Sequence, residues 1–202
     1  MSLFDRVADS EDLEVVIAIE SLTNARLRDD VGVLKLVPEH ERQSGPGTTP
    51  IMASFTHLSL EGSRFSDGNY GVYYAANSIE TALAETRYHR ERFLQRTHEP
   101  PIEIDMRSYA SVLSTQLHDI RGMQTKAPEL YDERMYSESQ RLASHLRADG
   151  SNGIIYNSVR DKEGECVAIF RANIPRPVTQ GSHYCFQWDG NRIHNTYCKS
   201  AM

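Results

Sequence analysis

Residues 62–96 read GSRFSDGNYGVYYAANSIETALAETRYHRERFLQR. Arg64 stands in a loop, Gly68 and Asn69 have the composition of a turn, and residues 70–76 are aromatic and apolar enough for a short strand. Asn77 or Ser78 then offers an N-cap to a helix that carries Glu85. Alternation along the strand puts Tyr70, Val72 and Tyr74 on one face and Gly71, Tyr73 and Ala75 on the other. Along the helix, Ile79, Ala82, Leu83, Thr86 and Phe93 make an inward stripe, which leaves Glu85 about 100° from its centre, on the flank of the buried face.

The rest of the chain bounds what this stretch can belong to. A chain of 202 residues suits one domain and buries roughly 70% of the surface its unfolded form exposes, so neither disulfide nor metal staple is required. Net charge is −6 and the pI is near 5.7, with basic residues scattered among acidic ones. Direct nucleic-acid binding is therefore not expected. Cys166, Cys185 and Cys198 are odd in number and form no C-x-x-C pair, which favours reduced structural thiols over a disulfide framework or a metal site. The apolar run at 15–19 is too short to span a bilayer, and the acidic start MSLFDRVADSED is unlike a signal peptide. A cytoplasmic protein with no membrane attachment is expected.

Outward from the centre, residues 11–22 read as a helix capped by Asp9 or Ser10, although 15–19 alone also suits a buried strand. Arg26 and Arg28 beside Asp29 and Asp30 read as a solvated tip and take no role. Residues 38–50 mix Pro, Gly, Ser and charge, the composition of a surface loop, and 51–55 fits a core strand. Pro100 and Pro101 must stop the central helix by about residue 98. Ile102, Ile104 and Met106 alternate with charged residues as in a strand with one wet face, while 109–117 is a strand or an irregular arm. Tyr131, Met135, Leu142 and Leu146 recur at helical spacing, with Asp149 and Gly150 as a stop signal. Residues 153–156 and 166–170 read as strands, and Asp189-Gly190 joins 184–188 to 192–197 as a hairpin. With no internal repeat and no linker, the expectation is one α+β domain over 1–202, a mixed or antiparallel β core flanked by helices.

Three segments together resemble the RES-domain toxins of bacterial type II toxin–antitoxin pairs, a family named for an Arg, a Glu and a Ser. They are GSRF with Arg64, GVYYAANSIETALAE with Tyr74 and Glu85, and GIIYNSVR with Ser158; SLTNARLRDDVG at 21–32 and FTHL at 55–58 extend the likeness over most of the chain. The resemblance implies an ADP-ribosyltransferase-like fold, consumption of NAD as substrate with no resident cofactor or metal, and an Xre-like helix-turn-helix antitoxin. In the antitoxin complex it implies an oligomer. It also selects Tyr74 over Tyr73, since a tyrosine eleven residues before the glutamate is the family's pattern.

The residue types suit that chemistry. Nicotinamide leaves NAD as a neutral molecule, so no general acid is needed, and the charge that develops is a ribose oxocarbenium ion that one carboxylate can face. Glu85 is the candidate. Arg64 offers a planar fork to pyrophosphate or ribose oxygens, and Tyr74 a ring face to the pyridinium. Ser158 lies outside any G-x-S-x-G elbow and has no indicated histidine, so a hydrogen bond to substrate or to Glu85 is expected of it, not nucleophilic attack. His57, just upstream of Arg64, is most simply a satisfied structural group and otherwise a substrate contact. Neither a P-loop nor a Rossmann turn is present. Three functions fit: cleavage of NAD by hydrolysis or phosphorolysis, transfer of ADP-ribose to a protein, or a non-catalytic interaction role in which Arg64 and Glu85 are structural.

Overall fold

The computed structural model describes residues 33–199, so the helix expected at 11–22 and the arginine tip at 26–30 lie outside the described residues. The chain divides into two compact units. One contains the described residues through Ala75, Ser111–Tyr156 and Val167–Val178; the other contains Ala76–Ala110, Asn157–Cys166 and the chain from Thr179 onward. In chain order the elements are α1 (Thr49–Thr56), β1 (Tyr73–Ala76), α2 (Ile79–Thr97), β2 (Ile102–Ala110), β3 (His118–Asp119), α3 (Ser137–Ala148), β4 (Gly153–Asn157), β5 (Glu165–Ile169), β6 (Thr179–Trp188) and β7 (Ile193–Lys199). The content is α+β, with one sheet ordered β1-β5-β4-β3, its β3 and β4 parallel, and a second, antiparallel sheet ordered β2-β6-β7.

In the first unit, α1 replaces the strand expected at 51–55. Its buried residues are Ile51, Met52, Phe55 and Thr56, the spacing of a helix face, and Pro50 supplies the preset φ of a first helical turn. An apolar run this short does not declare its period. The loop expected at 38–50 is also more ordered than its composition implies. Glu39–Glu41 is a 3-10 turn, Glu41 is only 4% exposed, and its carboxylate meets Arg171 Nη1 at 3.1 Å while accepting from the amide of Ala172. That polar residue is buried because it is paired.

The expected strand at 70–76 shortens to β1. Ser66 Oγ donates to the Tyr70 carbonyl at 2.6 Å and accepts from the Gly68 amide, so side-chain bonds hold the turn where ladder bonds would have been. Tyr73 points into the core with Met52, Phe55 and Ile169. The helical spacing from Tyr131 to Leu146 yields a helix only from Ser137, because Asp132 Oδ1 takes the amides of Arg134 and Met135 at 2.7 Å and turns the chain. Met135 is left 69% exposed, and Tyr131 closes a separate 3-10 turn, Pro128–Tyr131.

In the second unit, Ser78 is the N-cap of α2, its hydroxyl accepting from the Thr81 amide, and His98 ends the helix in the left-handed conformation at φ 53°. β2 alternates as expected and runs to Ala110, beyond which 111–117 is irregular. The hairpin turns at Asp189-Gly190, where Gly190 has φ 96° and Asp189 Oδ1 accepts from the amides of Asn191 and Arg192. Leu94, Phe186, Trp188 and Ile193 form this unit's core, with Leu83, Ile104 and Met106 at its margin. Phe93, expected inside, is 46% exposed.

The reason lies in how α2 is used. Leu83 and Leu94 fall within about 20° of each other on the helical wheel and face the core, whereas Thr81, Glu85 and Tyr88 cluster roughly 160° away. This second face carries the polar contacts described below. Glu85 is therefore not on the flank of a single buried stripe; it belongs to a second packed face.

Candidate functional site

Arg64 lies at the tip of a tight loop in the first unit. Ser63 and Ser66 exchange backbone hydrogen bonds across it, and Gln140 Nε2 donates to both of their carbonyls, at 2.9 and 3.1 Å. Phe65 is fully buried, edge-on to Tyr156 with ring centroids 4.9 Å apart. With that anchor in the core, its neighbour Arg64 is drawn in until it is only 8% exposed. The Arg64 guanidinium lies 4.8 Å from the Tyr136 ring centre, and Nη1 donates to the Leu130 carbonyl at 2.9 Å. Its charge also adds to the backbone hydrogen bonds from Met135 and Arg134 that hold the Asp132 carboxyl below its ordinary pKa.

Tyr74 closes the same loop. Its hydroxyl accepts from the Phe65 amide at 2.9 Å and shares a 2.8 Å hydrogen bond with Ser63 Oγ. Desolvation of the hydroxyl end pushes its pKa well above the tyrosine range, against the lowering effect of those two bonds. The shift favours the protonated hydroxyl. The residue as a whole is nonetheless 37% exposed. His57 meets Thr56 Oγ1 through Nδ1 at 3.2 Å and lines an open pocket with Ser54, Ser59, Ser63 and Tyr70.

Glu85 and Ser158 come together in the second unit. Ser158 Oγ donates to Glu85 Oε1 at 2.6 Å and accepts from the amides of Arg160 and Asp161, both at 3.0 Å. A hydroxyl has one proton and two lone pairs, so all three are committed: the proton goes to the Glu85 carboxylate, and among the described residues no histidine is hydrogen-bonded to Ser158. Glu85 is half-buried, and among the described residues no Lys or Arg forms an ion pair with it. One carboxylate oxygen, Oε1, is held by Ser158.

Sequence reading missed the supporting groups. Tyr136 and Gln140 arrive from far along the chain to hold the Arg64 loop, and no local pattern announces them. For the other pair a signal did exist. Ser158 and Asp161, three apart, have the spacing of a hydroxyl-capped turn, and Ser78 and Thr81 repeat it at the start of α2.

Two comparisons with known proteins bear on the family of this chain. Uncharacterized protein y4oC of Sinorhizobium fredii is 29% identical over 198 residues, which is 98% of this chain and 81% of that protein. The family model described as RES domain matches residues 39–189 and includes Arg64, Tyr74, Glu85 and Ser158. That family has an ADP-ribosyltransferase-like fold, consistent with the α+β content here, and is associated with toxin–antitoxin systems and with NAD. By a match that covers about three quarters of its length, the chain belongs to the RES domain family.

Proposed function

We propose that this chain is an NAD-consuming toxin that breaks the bond between nicotinamide and ribose, with Glu85 as the carboxylate that faces the ribose charge. The observation that carries this reading is the state of Glu85: a half-buried carboxylate with no cationic partner among the described residues and a single donor, Ser158, on one oxygen. A carboxylate kept in that condition costs desolvation and offers its remaining oxygen to an incoming positive charge. The glycosidic C–N bond breaks with its electron pair going to the nicotinamide nitrogen. Water supplies the new C–O bond and loses a proton, giving ADP-ribose; inorganic phosphate in its place gives ADP-ribose 1″-phosphate.

The other residues take supporting roles. Arg64, with its face on Tyr136 and Nη1 on a carbonyl, presents the rest of its fork to pyrophosphate or ribose oxygens. Tyr74 offers a ring face to the pyridinium, since its hydroxyl is already engaged, and Ser158 orients Glu85. His57 contributes a substrate contact from its pocket. We read both units as one RES domain, because the family model runs through both, and we place it in the cytoplasm, since three cysteines without a C-x-x-C pair favour reduced thiols. No described helix is long and apolar enough to cross a membrane.

Incubation of the purified, folded chain with NAD should deplete it and release nicotinamide. Chromatography of the products then separates ADP-ribose from its 1″-phosphate. Unchanged NAD with catalytic amounts of folded protein sinks the proposal, and label appearing on an added protein would replace it with ADP-ribosyl transfer. We further propose an Xre-like helix-turn-helix antitoxin as partner, in an oligomeric complex. Expression of the chain alone should arrest growth and co-expression of the antitoxin should restore it; equal growth in both cultures would reject the pairing.

A further inference from the structure

The loop at residues 158–164, between β4 and β5, is tied along one face of α2 at three points. Ser158 holds Glu85, the Arg160 guanidinium lies 3.4 Å from the centre of the Tyr88 ring, and Asp161 Oδ2 accepts from Thr81 Oγ1 at 2.6 Å. Residues 81, 85 and 88 follow one another on a single helical stripe. The Asp161 end has a defined hydrogen-bond direction. Thr81 gives its hydroxyl proton to Asp161, so it accepts from Ser78 Oγ at 2.8 Å, and Ser78 in turn accepts from the Thr81 amide as the helix N-cap. Gly164 closes the loop against the same pair: a Cβ there would stand 2.5 Å from Thr81 Cγ2 and 2.9 Å from Asp161 Oδ2. Only glycine allows that approach without displacing a neighbour.

We propose that Asp161 and Thr81 are positioning residues that set the orientation of Glu85 through Ser158, an inference that rests on the role given to Glu85 above. The Ser158 hydroxyl is aimed by the amides of residues 160 and 161, and the bond from Thr81 to the Asp161 side chain ties them to α2, in addition to the backbone bonds within the loop from the Ser158 amide to the Gly164 carbonyl and from the Gly164 amide to the Asp161 carbonyl. Without the Thr81 hydroxyl, the loop loses one of its three attachments to α2, the one that lies a helical turn before Glu85. Ser158 then no longer presents its proton at a fixed point, and the carboxylate gains rotamers that do not face the reacting carbon. Geometry of this kind is lost within fractions of an ångström.

The test uses the full chain and the variants Thr81→Val, which keeps the shape, and Thr81→Ser, which keeps the hydroxyl. Amide hydrogen exchange at Arg160 and Asp161 reads the loop itself, and NAD cleavage reads the consequence. Thr81→Val should speed exchange at both amides and lower kcat by about ten-fold or more, with KM changed no more than about two-fold. Thr81→Ser should restore both readouts. Faster exchange with unchanged kcat would overturn the positioning role, and unchanged exchange would show that the bond to Asp161 does not hold the loop. Equal losses in Thr81→Val and Thr81→Ser would assign the effect to packing and overturn the proposal too. A wild-type chain that leaves NAD intact would reject the activity, and with it the positioning of a catalytic carboxylate, while the exchange data would still report separately whether the brace exists.

Discussion

Glu85→Gln is expected to slow NAD cleavage by about a hundred- to a thousand-fold while NAD affinity stays within a few-fold of wild type, the usual cost of removing one preorganised electrostatic contact. The amide keeps the size of the side chain and an oxygen for the Ser158 hydroxyl, so the 2.6 Å bond in the wild type has a counterpart in the variant. What disappears is the negative charge. That charge matters little to a bound ground state whose positive charge lies on the pyridinium, and most to a transition state in which it has moved to the ribose, so the loss falls on kcat. Arg64→Ala should behave differently, raising KM, because the arginine is proposed to hold substrate oxygens that are equally charged before and after bond breaking. Steady-state kinetics with binding measured independently separates the two. Near-normal turnover in Glu85→Gln would make the carboxylate a structural acceptor for Ser158 and nothing more.

Phe186→Ala is expected to cost about 3–5 kcal/mol of stability, the range for emptying a fully buried aromatic site. Phe186 has no exposed surface and packs with Leu94 of α2 and with Trp188 and Ile193 in the second unit's core. Its neighbours are poorly placed to close the gap. β6 is held between β2 and β7, and the Trp188 indole N–H is fixed to the Glu99 carbonyl at 2.9 Å. Urea unfolding followed by fluorescence checks this directly, since Trp188 is the chain's single tryptophan and belongs to the same cluster. A loss below about 1 kcal/mol would show that the cluster collapses onto the space and is not a rigid core.

Much of the frame was legible in the sequence because its signals are local. The N-cap of α2, its end before Pro100 and Pro101, the alternation in β2 and the Asp189-Gly190 turn each depend on residues within a few positions of one another. The identities of Arg64, Tyr74, Glu85 and Ser158 came from a family pattern that is itself written in short segments. Only the tertiary structure decided which side of a helix was in use. The run at 51–55 became α1 because Met52 and Thr56 are buried beside Ile51 and Phe55, a choice between periods that five residues cannot express. Tyr73 and Tyr74 are adjacent and alike in the sequence, yet one enters the core and the other ties its hydroxyl to the Arg64 loop. Glu85 was read against one apolar stripe because hydrophobic periodicity records burial among apolar groups alone. Its actual surroundings are Ser158 and a loop more than seventy residues away, held by hydroxyls, a carboxylate and an arginine over a ring, and contacts of that kind leave no periodic trace in a chain.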